Sequence, residues 1–191
     1  MKNFSCKKIL SIHGVYSKNI DQLYGKTISN VSKKYEKMAL NLVDAITVNS
    51  KEGYDYYTKM GFNVVQIPNA IDLNLIPKKS TKQFKNQLIF AGRLSKEKGI
   101  EILLETASQL PNNYHLLIAG SGPLEEKVRK LSDEKTNLHY LGYQSKQNML
   151  SLIRGSDLLI QPSLEEGISS TLLEAMACGT CVLGSDIEGI S

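Results

Sequence analysis

Short runs of β-forming apolar residues alternate with segments of helical periodicity along the whole chain, and few architectures accept that rhythm. Lys8–Ile12 reads as a short strand that stops at His13-Gly14. Between Thr27 and Leu42, the residues Ile28, Val31, Tyr35, Met38 and Leu42 recur at spacings of three and four, which predicts a helix. Ala45–Val48 is a second strand. Ser50 suits the N-cap of a helix over Lys51–Met60, with Gly61 at its C-terminus. Asn63–Ile67 is a third strand, closed by Pro68-Asn69.

The composition then changes. Pro77 to Asn86 is polar, Lys-rich and nearly free of apolar residues, and reads as a linker. This predicts segments of 1–76, 77–86 and 87–191. After the linker the alternation restarts. Strands are expected at Leu88–Ala91, Tyr114–Ala119, Asn137–Leu141, Asp157–Gln161 and Thr180–Gly184. Helices fall between them, the first carrying Ile100, Leu103, Leu104, Ala107 and Leu110 on one face. Strands separated by helices imply an α/β fold with an open parallel sheet, whose ligands bind at the carboxyl ends of the strands. Those ends hold the loops Gly92–Gly99, Gly120–Pro123, Leu141–Gln144 and Pro162–Ser169.

Composition removes several function classes. The chain has 191 residues, 41% hydrophobic and 22% charged, an ordinary globular mix rather than a disordered or collagenous one. The net charge of +4 comes from lysines spread along the chain, without the clustered basic stripe that nucleic acid requires. Three cysteines do not make a disulfide framework and point to a reducing, cytoplasmic compartment. Cys178 and Cys181 form a C-x-x-C, but no second pair follows, so no metal site is expected. No apolar run approaches a membrane span, and His13-Gly14 interrupts the short stretch after Lys7-Lys8, so no signal peptide is expected.

Two segments carry the chemistry. In Gly92-Arg93-Leu94-Ser95-Lys96-Glu97-Lys98-Gly99, Gly92 lets backbone approach a ligand. Arg93 and Lys98 set two cations at the mouth of the sheet, a pair that suits a diphosphate or is simply solvated. The second segment runs from Pro162 to Gly179. Gly167–Thr171 offers free amides where a helix starts, a ready anion site. Glu166 and Glu174 are carboxylates suited to sugar hydroxyls, or to the helix dipole and the surface. Glu174 interrupts an otherwise apolar helix, where a charge is seldom buried without a purpose. No Walker A sequence is present, and Gly120-Ser121-Gly122 lacks the third glycine of a dinucleotide fingerprint.

These residues carry a resemblance. Arg93-Leu94-x-x-x-Lys98-Gly99, Pro162-Ser163-x-x-Glu166 and Leu173-Glu174-Ala175-Met176-Ala177-Cys178-Gly179 resemble the retaining glycosyltransferases of the two-Rossmann-domain (GT-B) fold, group 1, family 4. Glu166 and Glu174 match that family's E-x7-E motif. Ile12-His13-Gly14, Ile67-Pro68-Asn69-Ala70-Ile71-Asp72 and Gly120-Ser121-Gly122-Pro123-Leu124 follow its order. The resemblance implies a Rossmann-like parallel sheet with helices on both faces, preceded by the last part of an N-terminal Rossmann-like domain. It implies sugar transfer from a nucleotide-sugar donor with retention, without a metal cofactor. Arg93 and Lys98 would bind the diphosphate, Glu166 would face the sugar and Glu174 would hold the ribose. Gly92, Ile168, Ser169, Ser170 and Thr171 would complete the donor site, and His13 would face the reacting sugar. The acceptor would be a glycan or a lipid-linked molecule, as in cell-envelope or polysaccharide biosynthesis. The Lys-bearing segment Val31–Leu42 would be either a solvated face or a peripheral contact to anionic membrane.

Three positions depart from the family pattern: Ala70 for Gly, Ile168-Ser169 for Phe-Gly, and Glu188-Gly189 for Gly-Gly. The first strand and glycine-rich loop of the family's N-terminal domain have no counterpart here. A fragment with little activity of its own is therefore expected. A non-catalytic nucleotide-sugar-binding module and a sugar-nucleotide epimerase of the same architecture are the alternatives.

Overall fold

A computed structural model describes residues 6–15, 26–187 and 189–190. The chain forms two compact units, Met1–Asn69 and Ala70–Ser191.

In the first unit, β1 (Ile9–Ile12), β2 (Ala45–Val48) and β3 (Val64–Gln66) pair in parallel in the order β1-β2-β3. Helices α1 (Lys26–Leu40) and α2 (Lys51–Lys59) connect them. Ser50 caps α2 as expected, its hydroxyl accepting from the Gly53 amide at 3.1 Å. The core gathers Val15, Leu40, Ile46, Val48, Tyr57 and Val64. Helix α1 forms where the periodicity predicts it, yet its apolar stripe does not face this core. Ile28, Val31, Tyr35 and Met38 are 52–66% exposed, whereas Ser29 and Leu40 are buried. Glu36, on the side of Ser29 and Leu40, accepts from the buried Tyr57 hydroxyl at 2.6 Å. Burial first, and then this carboxylate, push the Tyr57 phenol far above its ordinary value.

The second unit holds β4 (Gln87–Ala91), β5 (His115–Ala119), β6 (Leu138–Gly142), β7 (Leu158–Gln161) and β8 (Cys181–Gly184). All pair in parallel in the order β6-β5-β4-β7-β8. The chain winds outward from β4 to β6, then returns to β7 and β8 on the other side. That reversal beside β4 opens a crevice at the carboxyl ends. Four helices cover the two faces: α3 (Ile100–Ser108), α4 (Glu125–Glu134), α5 (Lys146–Gly155) and α6 (Ser170–Cys178). Strand alternation divides the core. Phe90 and Ile118 pack with Leu103 of α3 and Val128 of α4. Ile89 and Leu117 pack with Ile153 of α5 and Ala175 of α6. Both faces of the central strands are dry, which explains their continuous apolar sequence.

The polar segment 77–86 is tied to this unit. The Thr81 amide donates to the Ser151 carbonyl at 2.9 Å. Gln87, fully buried, donates to the Thr81 carbonyl and the Ser156 hydroxyl, and accepts from the Gln83 amide at 2.8 Å. Lys82 pairs with Asp157 at 2.5 Å. Just before it, Ile76 packs against the Ile89 cluster. A polar composition alone does not reveal such long-range anchors.

At the amino ends of β5 and β6, His115 Nδ1 and His139 Nε2 lie 3.0 Å apart. Phe84 stacks on both rings, at 3.9 and 4.5 Å between centroids. Burial, and then a positive charge on His115, hold His139 below its ordinary value of 6.5. The unfolded chain therefore binds the proton more tightly than the native one. Stability should be complete above the unfolded value and fall as the pH drops through it towards the depressed native value. Urea unfolding at about pH 7.5 and about pH 5.5 checks this. The midpoint should drop at the acidic pH, and His139→Gln should flatten the dependence.

Among the described residues, no helix is long and apolar enough to cross a membrane.

Candidate functional site

The carboxyl ends of β4, β5 and β6 open into a cleft of about 470 Å³, lined by Gly92, Arg93, Gly120, Ser121, Gly122, Tyr143, Gln144 and Met149. Its floor is backbone packed on backbone. The Gly92 amide donates to Ala119 at 3.0 Å and the Gly120 amide to Gly142 at 2.8 Å. Gly120 has φ +149°, and a Cβ there would overlap the Gly92 carbonyl, so only glycine lets these two loops approach. Buried Leu94 anchors the loop after β4, its amide donating to Ser121 at 2.9 Å and its carbonyl accepting from Leu124. Arg93, one residue earlier, is exposed on the cleft wall.

The same loop is joined to the loop after β7. Residues 96–98 make a 3-10 turn that ends on Gly99 in the left-handed region, at φ +68°. A side chain at Gly99 would overlap the Pro162 carbonyl. The Glu97 carbonyl accepts from the amides of Leu164 at 2.8 Å and Glu165 at 3.3 Å. Held this way, Lys98 reaches Glu166: Nζ lies 2.5 Å from Oε1. That oxygen also accepts from Gln161 Nε2 at 2.8 Å and Ser163 Oγ at 3.1 Å. The Glu166 side chain is only 7% exposed. A desolvated carboxylate of this kind persists because charge-assisted and neutral donors surround it.

Helix α6 begins beside this network. The Ser169 hydroxyl caps it, accepting from the Leu172 amide at 3.3 Å, and also accepts from Gln161 Nε2 at 2.5 Å. Gln161 thus links Glu166 to the helix start. Ser170 and Thr171 occupy the first turn, where amides have no partner within the helix. Ile168 is half-buried on the approach. One turn further on, Glu174 is buried, and its Oε1 accepts from Lys146 Nζ at the start of α5.

In the second unit Gly92 and Arg93 line the cleft, Lys98 is joined to Glu166 and through Gln161 to Ser169 at the start of α6, where Ile168, Ser170 and Thr171 also lie, and Glu174 lines a separate depression with Lys146. Lys98 and Glu166, for which sequence implies separate partners, form one ion pair. Glu166 sits on the loop before α6. The Ser169 hydroxyl is engaged as a cap. His13 belongs to the first unit, on the loop after β1, exposed and 3.3 Å from the Ser11 hydroxyl. Gln161, Ser163 and Lys146 were not legible as site residues. A polar residue ending the apolar run of β7 was the one available hint of Gln161. Among the described residues no non-glycine has positive φ, so the turn at Ala70 is built without one. Glu188 lies outside the described residues, while Gly189, at φ +92°, packs on the Gly167 carbonyl.

Cys178 is buried at the end of α6, where desolvation raises its thiol, and Cys181 is exposed at the start of β8. Among the described residues no three or more His, Cys, Asp or Glu cluster around a common point. An apolar groove of about 220 Å³ between α3 and β8, lined by Ile102, Leu110, Ile160 and Leu183, holds no ionisable group.

Comparison with known proteins identifies the family and the fold. Residues 73–191 match the family model of the glycosyl transferases group 1. An uncharacterized glycosyltransferase of Methanocaldococcus jannaschii, MJ1069, is 26% identical over 197 residues, covering 94% of this chain and 48% of the relative. The D-inositol 3-phosphate glycosyltransferase of Mycolicibacterium smegmatis is 33% identical over 109 residues, covering 53% of this chain and 25% of its own length. Among solved structures, the sucrose-phosphate synthase of Thermosynechococcus elongatus superimposes with a TM-score of 0.80 at 21% identity, covering all of this chain and 53% of that one. Anabaena Alr3699/HepE, solved with UDP and glucose, gives 0.72 at 20% identity, covering 95% and 53%. The fold is thus that of the GT-B glycosyltransferases, and the chain spans about half the length of these two structures and of MJ1069. With more than half of its residues matched by the family model, the chain belongs to the glycosyl transferases group 1.

Proposed function

We propose that the second unit binds a nucleotide-sugar donor, and that the protein transfers the sugar to a glycan or lipid-linked acceptor with retention of configuration. The observation that carries this reading is the Lys98–Glu166 pair, set between the Arg93 loop and the start of α6. In this reading Arg93, Lys98 and the amides of Ser170 and Thr171 receive the diphosphate. As the sugar bond breaks, negative charge grows on the leaving diphosphate, and donors fixed before the reaction stabilise it without reorganisation. Glu166, freed as Lys98 turns to phosphate, accepts from hydroxyls of the sugar and keeps Gln161 and Ser163 as its partners. Glu174 accepts from the ribose. Gly92 leaves room for the donor beside the strand end, and Ile168 and Ser169 shape the sugar side. The UDP and UDP-glucose complexes of Alr3699/HepE support a nucleotide donor.

Calorimetric titration of the chain with UDP, GDP, ADP and their sugar conjugates tests the donor site. One nucleotide should bind, and Arg93→Ala should weaken it at least about tenfold, the effect of one lost charge-assisted contact. Equal binding by the variant would remove Arg93 from the site. Release of nucleoside diphosphate in the presence of acceptor would separate a transferase from a binding module.

A further inference from the structure

Glu174 is a carboxylate on a helix whose other inward residues, Ala175 and Cys178, are apolar. Its side chain is 9% exposed, so its charge needs a local partner. Lys146 Nζ supplies it, bonding Oε1. The asymmetry is informative. The Lys146 side chain is 57% exposed and would be hydrated without Glu174, whereas the carboxylate has lost most of its water. Among the described residues Oε2 has no hydrogen-bond partner, yet it is not sealed from solvent. One oxygen is therefore anchored and the other is open to an incoming donor.

The anchor stands on a firm element. Lys146 is the first residue of α5. Ser145 caps that helix, accepting from the Asn148 amide at 3.3 Å, and Leu150 and Ile153 bury its inner face. Lys146, Glu174, Asp72 and Leu150 line a small depression of about 110 Å³. Asp72 is already engaged there, its Oδ1 accepting from the Asn74 amide at 2.9 Å. Glu174 Oε2 and Asp72 Oδ2 are the carboxylate oxygens of this depression without a hydrogen-bond partner among the described residues, and of the two groups Glu174 is the one held by a lysine, through its other oxygen.

We propose that Lys146 is a positioning residue that fixes the Glu174 carboxylate so that it selects ribonucleotides over 2′-deoxyribonucleotides. The inference deepens the donor-site reading and rests on it. A carboxylate held by one oxygen presents the other in a set direction to a ribose hydroxyl. Without Lys146 the group is no longer held by one oxygen and turns freely. That removes the directed acceptor, and the 2′-hydroxyl loses its advantage.

The test titrates the full chain with whichever of UDP, GDP or ADP it binds, and with the 2′-deoxy form of that nucleotide. The wild type should favour the ribonucleotide by about tenfold, the worth of one hydrogen bond to a charged group. In Lys146→Met the ratio should collapse towards one, and Lys146→Arg should restore most of it. Far-ultraviolet circular dichroism should stay near wild type in both, while the melting temperature should fall in Lys146→Met, which leaves the buried carboxylate unpaired, and the titration is run at a temperature where all three proteins are folded. An unchanged ratio in Lys146→Met, whatever happens to affinity, overturns the proposal. A wild type that binds the nucleotide with no ribose preference also overturns it, leaving the diphosphate contacts standing. A wild type that binds none of the three nucleotides overturns the donor-site reading itself.

Discussion

Lys98→Ala should weaken binding of the donor diphosphate, and with it turnover, by at least about tenfold. A hydrogen bond to a charged group contributes about 1.5–3 kcal/mol, which corresponds to about 10- to 150-fold. In the free protein Lys98 Nζ sits 2.5 Å from Glu166 Oε1. In the proposed function, binding exchanges one anionic partner of Lys98 for another, and the cation is never stranded. Nor does the substitution strand Glu166, which keeps Gln161 at 2.8 Å and Ser163 at 3.1 Å. The fold should persist, with a melting temperature near that of the wild type. Titration and initial rates on the folded variant check this. Donor affinity and rate near wild type would remove Lys98 from the site.

Gly99→Ala should strongly destabilise the second unit. At φ +68° an alanine pays about 1–2 kcal/mol of backbone strain. Its methyl group would also overlap the Pro162 carbonyl, and relieving such overpacking costs about 1–3 kcal/mol more. The two together give about 2–5 kcal/mol. The damage is also directional. Pushing Pro162 away loosens the Glu97 carbonyl from the Leu164 and Glu165 amides, the contact that carries Glu166 to Lys98. Chemical denaturation should show a lower midpoint with an unchanged slope. Donor affinity should fall even at temperatures where the variant is folded. A variant as stable as wild type would mean that the two loops are not joined through this glycine.

Much of the second unit was legible because local and long-range preferences agree there. Leu88–Ala91 and Leu116–Ala119 are buried on both faces, so their sequence is apolar throughout, and the strands that hold them start within a residue of expectation. Arg93, Lys98, Glu166 and Glu174 stand out as charges beside glycine turns or within apolar helices. Their partners do not. Lys146 looks like any lysine at a helix start, and Ser163 like any loop serine. Only the winding of β6, α5, β7 and α6 brings them to the carboxylates. Helix α1 gives the opposite lesson. Its periodicity correctly marks a helix, but a period does not say which side faces the core. The Tyr57–Glu36 bond lies on the polar side, and that contact comes from a residue far along the chain.

In the proposed function the donor lies across the loop after β4 and the start of α6. Amide chemical-shift mapping of the isotope-labelled chain during titration with UDP, GDP or ADP tests it most directly. The largest shifts should fall on the amides of Gly92–Gly99 and Ser169–Thr171, with smaller ones near Tyr143. Saturable shifts confined to other parts of the chain, with these amides unmoved, would contradict it.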